Sequence, residues 1–246
     1  LALKGQEVRS HINVCTNIEI RVSHCTFISC TNSGNGGAVM ISAGSSSNIV
    51  SNIFKWCYSD ELGGSVYDAS LNSNALFNSF YECSAIECYA LGQLGKEENY
   101  AYLNNFIACF SDKENSAWKQ TYGDYITKLN NGSFNRCSSS SRYPCYVAAN
   151  GSHNQILFDS YTCNTGPQVF GLACYVDNSL QLSSSLCLAN NTAKAEFLLL
   201  NGNFQLSYCV FADNYRLKND AVDHKGVVEL IECIIVFKEE KLERAN

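Results

Sequence analysis

Two sets of titratable residues in this 246-residue chain have the types that carry out hydrolysis. An interval of 26 separates Glu61 from Glu87, and the same interval separates Glu87 from Lys113. Asp220, Asp223, His224 and Lys225 form the densest titratable cluster. Two carboxylates about 5–9 Å apart, one acting as acid and the other as base or nucleophile, cleave glycosidic bonds. The interval brings such groups together only if the chain coils back on itself with that period. A plainer reading competes, because charged residues in turns are ordinarily solvated. Both sets are expected in turns that follow a Phe-x-x-Cys segment. The sequence shows neither a strand-borne Asp-Asp pair nor an Arg-rich wall of the kind lyases use. The expectation is therefore no catalytic centre. Should this chain carry a site, Glu61 and Glu87 are its first candidates and Asp223 with His224 the second.

The 14 cysteines are the other chemically loaded set, and their even number would suit bridges outside a reducing compartment. Zinc is disfavoured. No C-x-x-C occurs, and His11, His24, His153 and His224 do not cluster with cysteines, apart from the adjacent His24-Cys25. Read as successive strand residues, His24 and Cys25 face opposite sides, which also disfavours a Cys-His nucleophile. No metal and no cofactor is expected. Most cysteines sit at periodic positions, where Cys serves as a small buried apolar residue. They are expected to be free thiols. Cys15 with Cys25, or Cys83 with Cys88, could still pair.

The elements that would position all of these come from a repeat. Five times a Phe precedes a Cys by three positions: Phe27/Cys30, Phe54/Cys57, Phe80/Cys83, Phe106/Cys109 and Phe134/Cys137. The intervals between successive phenylalanines are 27, 26, 26 and 28. With 13 Phe and 14 Cys, chance gives fewer than one such pair. Cys163 continues the cysteine series one period after Cys137, although the aromatic has slipped to Tyr161. Leu188/Asn191 and Phe211/Asn214 follow, and Ile235 is a ninth copy. The mean repeat is about 26 residues, the signature of stacked units.

Each unit holds three short apolar runs, such as Asn48-Ile49-Val50, Asn52-Ile53-Phe54 and Ser65-Val66-Tyr67. Runs so short, rich in β-branched and aromatic residues and bounded by Gly, Ser and Asn, read as strands. Only two prolines interrupt the supply of backbone amides. The reading is all-β: a right-handed parallel β-helix of about 8–9 coils with three strands per coil, the hand following the crossover rule. At about 4.8 Å per coil the rod would be roughly 40 Å long. Phe27, Phe54, Phe80, Phe106 and Phe134 should form an interior aromatic ladder. Cys30, Cys57, Cys83, Cys109, Cys137 and Cys163 should form a second one. Asn52, Asn78 and Asn104 should form a polar ladder whose amides bond along the stack. Gly36-Gly37 and Gly63-Gly64, at matching positions after Phe27 and Phe54, mark a corner. A single β-helix domain is expected over 1–236, with its repeats clearest from 18 to 236. Residues 237–246 are expected to form a charged cap or tail.

Gly36-Gly37-Ala38-Val39 and Phe211-Ala212-Asp213-Asn214 resemble the Gly-Gly-Ala-Ile and Phe-x-x-Asn elements of the chlamydial polymorphic outer-membrane proteins. Similar repeats occur in surface proteins of trichomonad protists. Gly63-Gly64-Ser65-Val66 matches nearly, and the Phe-x-x-Cys copies are variants with Cys for Asn. The resemblance covers about residues 18–236. It implies a surface-exposed, adhesin-like or antigenic rod, and it carries over no catalytic residue.

Charged residues make up only 16% of the chain and the net charge is −6, which argues against nucleic acid. No apolar run approaches the roughly 18 residues that a membrane span needs, so none is expected in this segment. The chain opens at Leu1, which suggests a mature product or a fragment with flanking domains missing. The aromatics exceed what an interior ladder needs: Trp56, Trp118, Tyr58, Tyr67, Tyr89, Tyr122, Tyr125, Tyr143, Tyr146 and Tyr175. Tyr146 and Tyr175 follow Cys145 and Cys174 and are expected in equivalent places on one face. A row of outward aromatics suits sugar or protein binding. The functional expectation is an extracellular or cell-surface rod that binds a protein or glycan. The alternatives are a β-helix polysaccharide lyase or glycosidase, and a filament or surface-layer subunit assembling end to end.

Overall fold

The computed structural model is a parallel β-solenoid, with no helix among the described residues. It describes residues 1–87, 90–95, 97–114, 118–120, 126–130, 133–139, 145–149, 153–157, 160–166, 170–174, 180–184, 186–189, 191–193, 198–201, 203–216, 222–225 and 227–239. Ten strands stack in chain order as one sheet, beginning with Ala2–Lys4, Glu19–Ser23, Ser46–Val50 and Asn72–Leu76 and ending with Val228–Ile231. A 17-stranded sheet holds the Phe strands, such as Ile53–Lys55 and Ser79–Tyr81, and the strands just after them, such as Tyr58–Leu62 and Ser84–Glu87. The remaining strands form a five-stranded sheet (Ile12–Val14 to Trp118–Gln120) and a four-stranded one (Cys145–Ala149 to Val222–Lys225).

Seven successive repeats, from Glu19–Ser23 to Leu198–Asn201, carry four strands each rather than the three expected. The fourth exists because the Phe-x-x-Cys segment is bent: Trp56 adopts a left-handed φ of 55° and separates Ile53–Lys55 from Tyr58–Leu62. The repeat also runs further than 236. Phe237, Lys238 and Glu239 pair with Asn214, Tyr215 and Arg216, so the ladder continues to Glu239.

Stacking puts like on like. Phe27, Phe54, Phe80, Phe106 and Phe134 are in direct register, followed by Tyr161, Leu188, Phe211 and Ile235. The rings of Phe27, Phe54, Phe80 and Phe106 stack at centroid separations of 4.8, 4.9 and 4.8 Å, within 8° of parallel. That separation is the interstrand spacing itself, so the backbone ladder dictates the ring stack. All four rings are buried, beside Val22, Ile49, Ala75 and the cysteines.

The corners follow a rule that glycine does not explain. Among the described residues, thirteen that are not glycine have φ between 48° and 59°, and each directly precedes a Cys or an Asn. Six lie before the Phe strand (His24, Ser51, Phe77, Leu103, Tyr208, Glu232) and seven after it (Ser29, Trp56, Glu82, Ala108, Arg136, Cys163, Asp213). This conformation costs an L-residue roughly 1–2 kcal/mol. It is held because the corner amide still bonds the next coil, as in Trp56 N–H to Tyr81 O at 3.0 Å and Phe77 N–H to Tyr102 O at 2.8 Å. The following side chain points inward and satisfies the corner. Asn78 Oδ1 accepts from the Asn52 backbone N–H and from Asn52 Nδ2, both at 3.0 Å, while Asn78 Nδ2 donates to Ile49 O at 2.8 Å. Asn104 repeats the pattern for Asn78.

The polar ladder changes corner along the rod. In the first half Asn52, Asn78 and Asn104 stand before the Phe strand, and Cys30, Cys57, Cys83 and Cys109 after it. Further on, Leu186 and Cys209 stand before it, and Asn164, Asn191 and Asn214 after it. Cys137 is the junction, its backbone N–H donating to Asn164 Oδ1 at 2.9 Å. Cys163 is therefore not a ladder member. Phe134 pairs with Tyr161, so Asn164 takes the place that Cys137 holds in the coil before, and Cys163 is the exposed left-handed residue at the corner.

Glycine is required at the remaining corner. Gly63 has φ of 70°, and a Cβ on Gly37 would collide with the Gly64 and Tyr58 carbonyl oxygens. One interior column is imperfect: Ser65 lies between Ala38 and Ala90, and its buried hydroxyl has the Cys83 thiol as its polar neighbour.

Two outcomes check this packing. Phe80→Ala should lower stability by about 3–5 kcal/mol in denaturant unfolding, because it opens a cavity between two stacked rings. Asn78→Ala should cost about 3 kcal/mol in the same measurement, since it strands the two Asn52 donors and the Ile49 carbonyl.

Candidate binding face

The acidic pair does not stack as its spacing suggests. The register shifts between Ser59 and Leu62, and Glu87 pairs with Leu62 rather than Glu61. A second shift pairs Glu87 with Glu114 rather than Lys113. Both acids lie on strands, Tyr58–Leu62 and Ser84–Glu87, not in turns. Asp223 and His224 are also on a strand, Val222–Lys225, in register with Leu199 and Leu200. Asp220 lies outside the described residues. The two acidic sets thus belong to different sheets. Glu61 does leave a mark on its surroundings: burial raises the Tyr67 hydroxyl, and the Glu61 and Asp68 carboxylates push it the same way.

Asp68 is the carboxylate that sequence reasoning missed. It is fully buried at the start of the turn after Val66–Asp68. Ser47, Ser70 and Ser73 hydroxyls donate to it, with the Ser70 backbone N–H at 3.1 Å. Gln93 Nε2 donates to Ser73 Oγ at 2.8 Å behind this shell. A carboxylate so enclosed pins a corner and does not meet a substrate. Its serines are scattered from Ser47 to Ser73 in an already serine-rich chain, so spacing offers no signal for it.

The cysteine columns are closed as well. Cys15, Cys25, Cys30, Cys57, Cys83, Cys109, Cys137, Cys163, Cys187, Cys209 and Cys233 are free thiols, and of these Cys25, Cys30, Cys57, Cys83, Cys109, Cys137 and Cys209 are buried. The pairings weighed for Cys15 with Cys25 and for Cys83 do not occur; Cys88 lies outside the described residues. Each ladder thiol points at carbonyls, as Cys83 does to Tyr81 O at 3.3 Å and Phe54 O at 3.5 Å. Contact with its thiol neighbours Cys30 and Cys83, and then burial, pushes the Cys57 thiol up. Burial pushes Cys209 up to about 11, with Cys233 adding to it. Among the described residues no three His, Cys, Asp or Glu side chains are placed to hold a metal ion. His24 occupies a left-handed corner rather than a strand position.

What the fold does present is the outer surface of the 17-stranded sheet on either side of its second left-handed corner. The alternation of strand side chains sends Phe54, Phe80 and Phe106 inward and their neighbours outward. On three successive coils the outward residues read Ile53, Lys55, Trp56, Tyr58; then Ser79, Tyr81, Glu82, Ser84; then Asn105, Ile107, Ala108, Phe110. Trp56 is 53% exposed, and Ile53, Tyr58, Tyr81 and Phe110 are exposed too. Side-chain pairs bridge the first two coils. Trp56 Nε1 donates to Glu82 Oε2 at 3.1 Å, and Lys55 Nζ lies 5.7 Å from the Tyr81 ring centroid. Phe77, also exposed, packs edge-on to Tyr102 at 5.3 Å at the other corner. Trp56 and Tyr58 were expected here; Tyr81, Phe77 and Phe110 were not. In the described strands Cys145 pairs with Phe170 and Tyr146 with Gly171. Tyr175, Tyr89, Tyr122, Tyr125 and Tyr143 lie outside the described residues, and Trp118 stands in register with Leu91.

No family model matches the chain, and no curated protein or solved structure is significantly similar to it.

Thiols held protonated by the fold set the sign of an alkaline response. For Cys57, Cys109 and Cys209 the native pKa lies above the unfolded value, so their contribution is complete below that value and is lost as pH rises through the native one. Stability should hold to about pH 9 and fall toward pH 11, the window of Cys209. Denaturant melts across that range check it. Stability that rises over the same range would contradict it.

Proposed function

We propose that this chain is a non-enzymatic binding rod, displayed at a cell surface or secreted, which recognises a protein or glycan partner. One observation carries the reading. The solenoid exposes Trp56, Tyr58, Tyr81 and Phe110 on the outside of one sheet, over three consecutive coils and on either side of the Trp56 corner. Exposed large aromatics interleaved with polar side chains suit the recognition of a sugar or a protein. The register shift removes the direct stacking of Glu61 on Glu87 that had suggested a catalytic pair. Burial of the thiol columns is compatible with an oxidising exterior, because an oxidant has no path to Cys57, Cys83 or Cys109. The likeness of the glycine and Phe-x-x-Asn elements to surface-protein repeats points the same way. In this reading the rod is a right-handed solenoid of eight to nine coils.

The experiment pairs binding with catalysis. Wild-type protein should bind a ligand in a screen of glycans and cell-surface proteins. A Trp56→Ala/Phe110→Ser variant with an unchanged circular dichroism spectrum should lose roughly tenfold or more in affinity. Turnover of a polysaccharide that disappears in Glu61→Gln would replace this reading with an enzymatic one.

A further inference from the structure

The same face has a chemistry specific enough to name its ligand. We infer that it takes an uncharged polysaccharide, laid along the rod axis across the coils that carry Trp56, Tyr81 and Phe110. The inference rests on the binding reading above and narrows it.

Three features carry it. First, the aromatics are spread among polar groups rather than gathered into an apolar patch. Ser79 and Asn105 alternate with Ile53 in one column, Glu82 follows Trp56 in the next, and Ser84 separates Tyr58 from Phe110 in the third. A pyranose ring has an apolar C–H face and a rim of hydroxyls, so it needs both kinds of group within one ring's width. A protein hot spot needs an anchor seated in a closed, desolvated pocket, and an open sheet face offers none. Second, the described charges beside the rings are few and mixed in sign, with Asp60 exposed two residues beyond Tyr58. Glu82 receives the indole N–H and Lys55 lies over the Tyr81 ring. These charges form no basic patch for a polyanion, and they are too few to draw a polycation. Third, the aromatics are held before the ligand arrives. The Trp56–Glu82 and Lys55–Tyr81 contacts both run from one coil to the next and restrain these two rings, which lowers the ordering cost of binding. The coils recur every ~4.8 Å, about the length of one sugar ring, so a chain lying along the axis repeats in step with the side chains beneath it. β-strand addition is not open here. The backbone groups of Ile53–Lys55 and Ser79–Tyr81 are already engaged with the coils above and below.

The test titrates the protein with neutral hexasaccharides of glucose, xylose, mannose and N-acetylglucosamine, with heparin and polygalacturonate as charged probes. Trp56 emission is the readout. A Trp56→Phe variant separates it from Trp118, the other of the chain's two tryptophans. At least one neutral oligosaccharide should shift the emission in wild type and leave Trp56→Phe silent. Tyr81→Ala should weaken it roughly tenfold, the loss of one stacking platform. Affinity should change less than about twofold between about 0.05 and 0.5 M salt, because no net charge is engaged. Preference for the charged polymers, or steep salt dependence, overturns the inference. So does Trp56-dependent binding of a protein ligand with no response to any sugar, although the binding reading then survives. Undiminished binding of every ligand by the Trp56→Ala/Phe110→Ser variant removes both.

Discussion

Everything in this molecule depends on parallel in-register pairing between coils. A strand that pairs with its own copy one coil away must place each side chain directly on its counterpart, about 4.8 Å above. Chemistry that tolerates such self-stacking is therefore favoured at each position. Phe27, Phe54, Phe80 and Phe106 satisfy it with parallel rings. Asn52, Asn78 and Asn104 satisfy it with amides that donate and accept along the same line. Cysteine satisfies it by being small and apolar. Charge does not satisfy it, which is why the charged residues stand outward and why the one fully buried carboxylate among the described residues, Asp68, is wrapped in hydroxyls and not stacked on another acid.

The corners show the constraint most plainly. A left-handed residue turns the chain without breaking the ladder, because its amide still reaches the next coil. The turn leaves the next residue pointing inward with a backbone N–H to satisfy. Asn does this with Oδ1, as Asn78 does for Asn52. In the cysteine columns the sulfur stands in that place, with the Cys57 sulfur in hydrogen-bond contact with the Cys30 backbone. That shared task explains why Cys and Asn exchange along one column at Cys137 and Asn164, and why the two columns trade partners along the rod. It also explains how bulky residues such as Trp56 and Phe77 come to hold a conformation they disfavour. The corner projects them into solvent, where they edge the face proposed to bind.

Sequence alone determined the period, the all-β class and the identity of the stacked aromatics, because a one-dimensional repeat writes its contacts into the spacing of residues along the chain. Phe27 to Phe134, the Asn52–Asn104 amides and the glycine corner at Gly63 were legible for that reason. Tertiary structure decided whatever depends on register to a single residue. The mean interval set Glu61 over Glu87 and Cys163 in the cysteine ladder, but a bulge and a slightly longer coil moved both away. The bend that makes a fourth strand needed backbone torsions, since left-handed Trp56, Glu82 and Ala108 share no residue type. The outer face was legible least of all. Whether an aromatic points in or out depends on alternation from the nearest corner, and a mean period does not say on which side of a corner a residue falls.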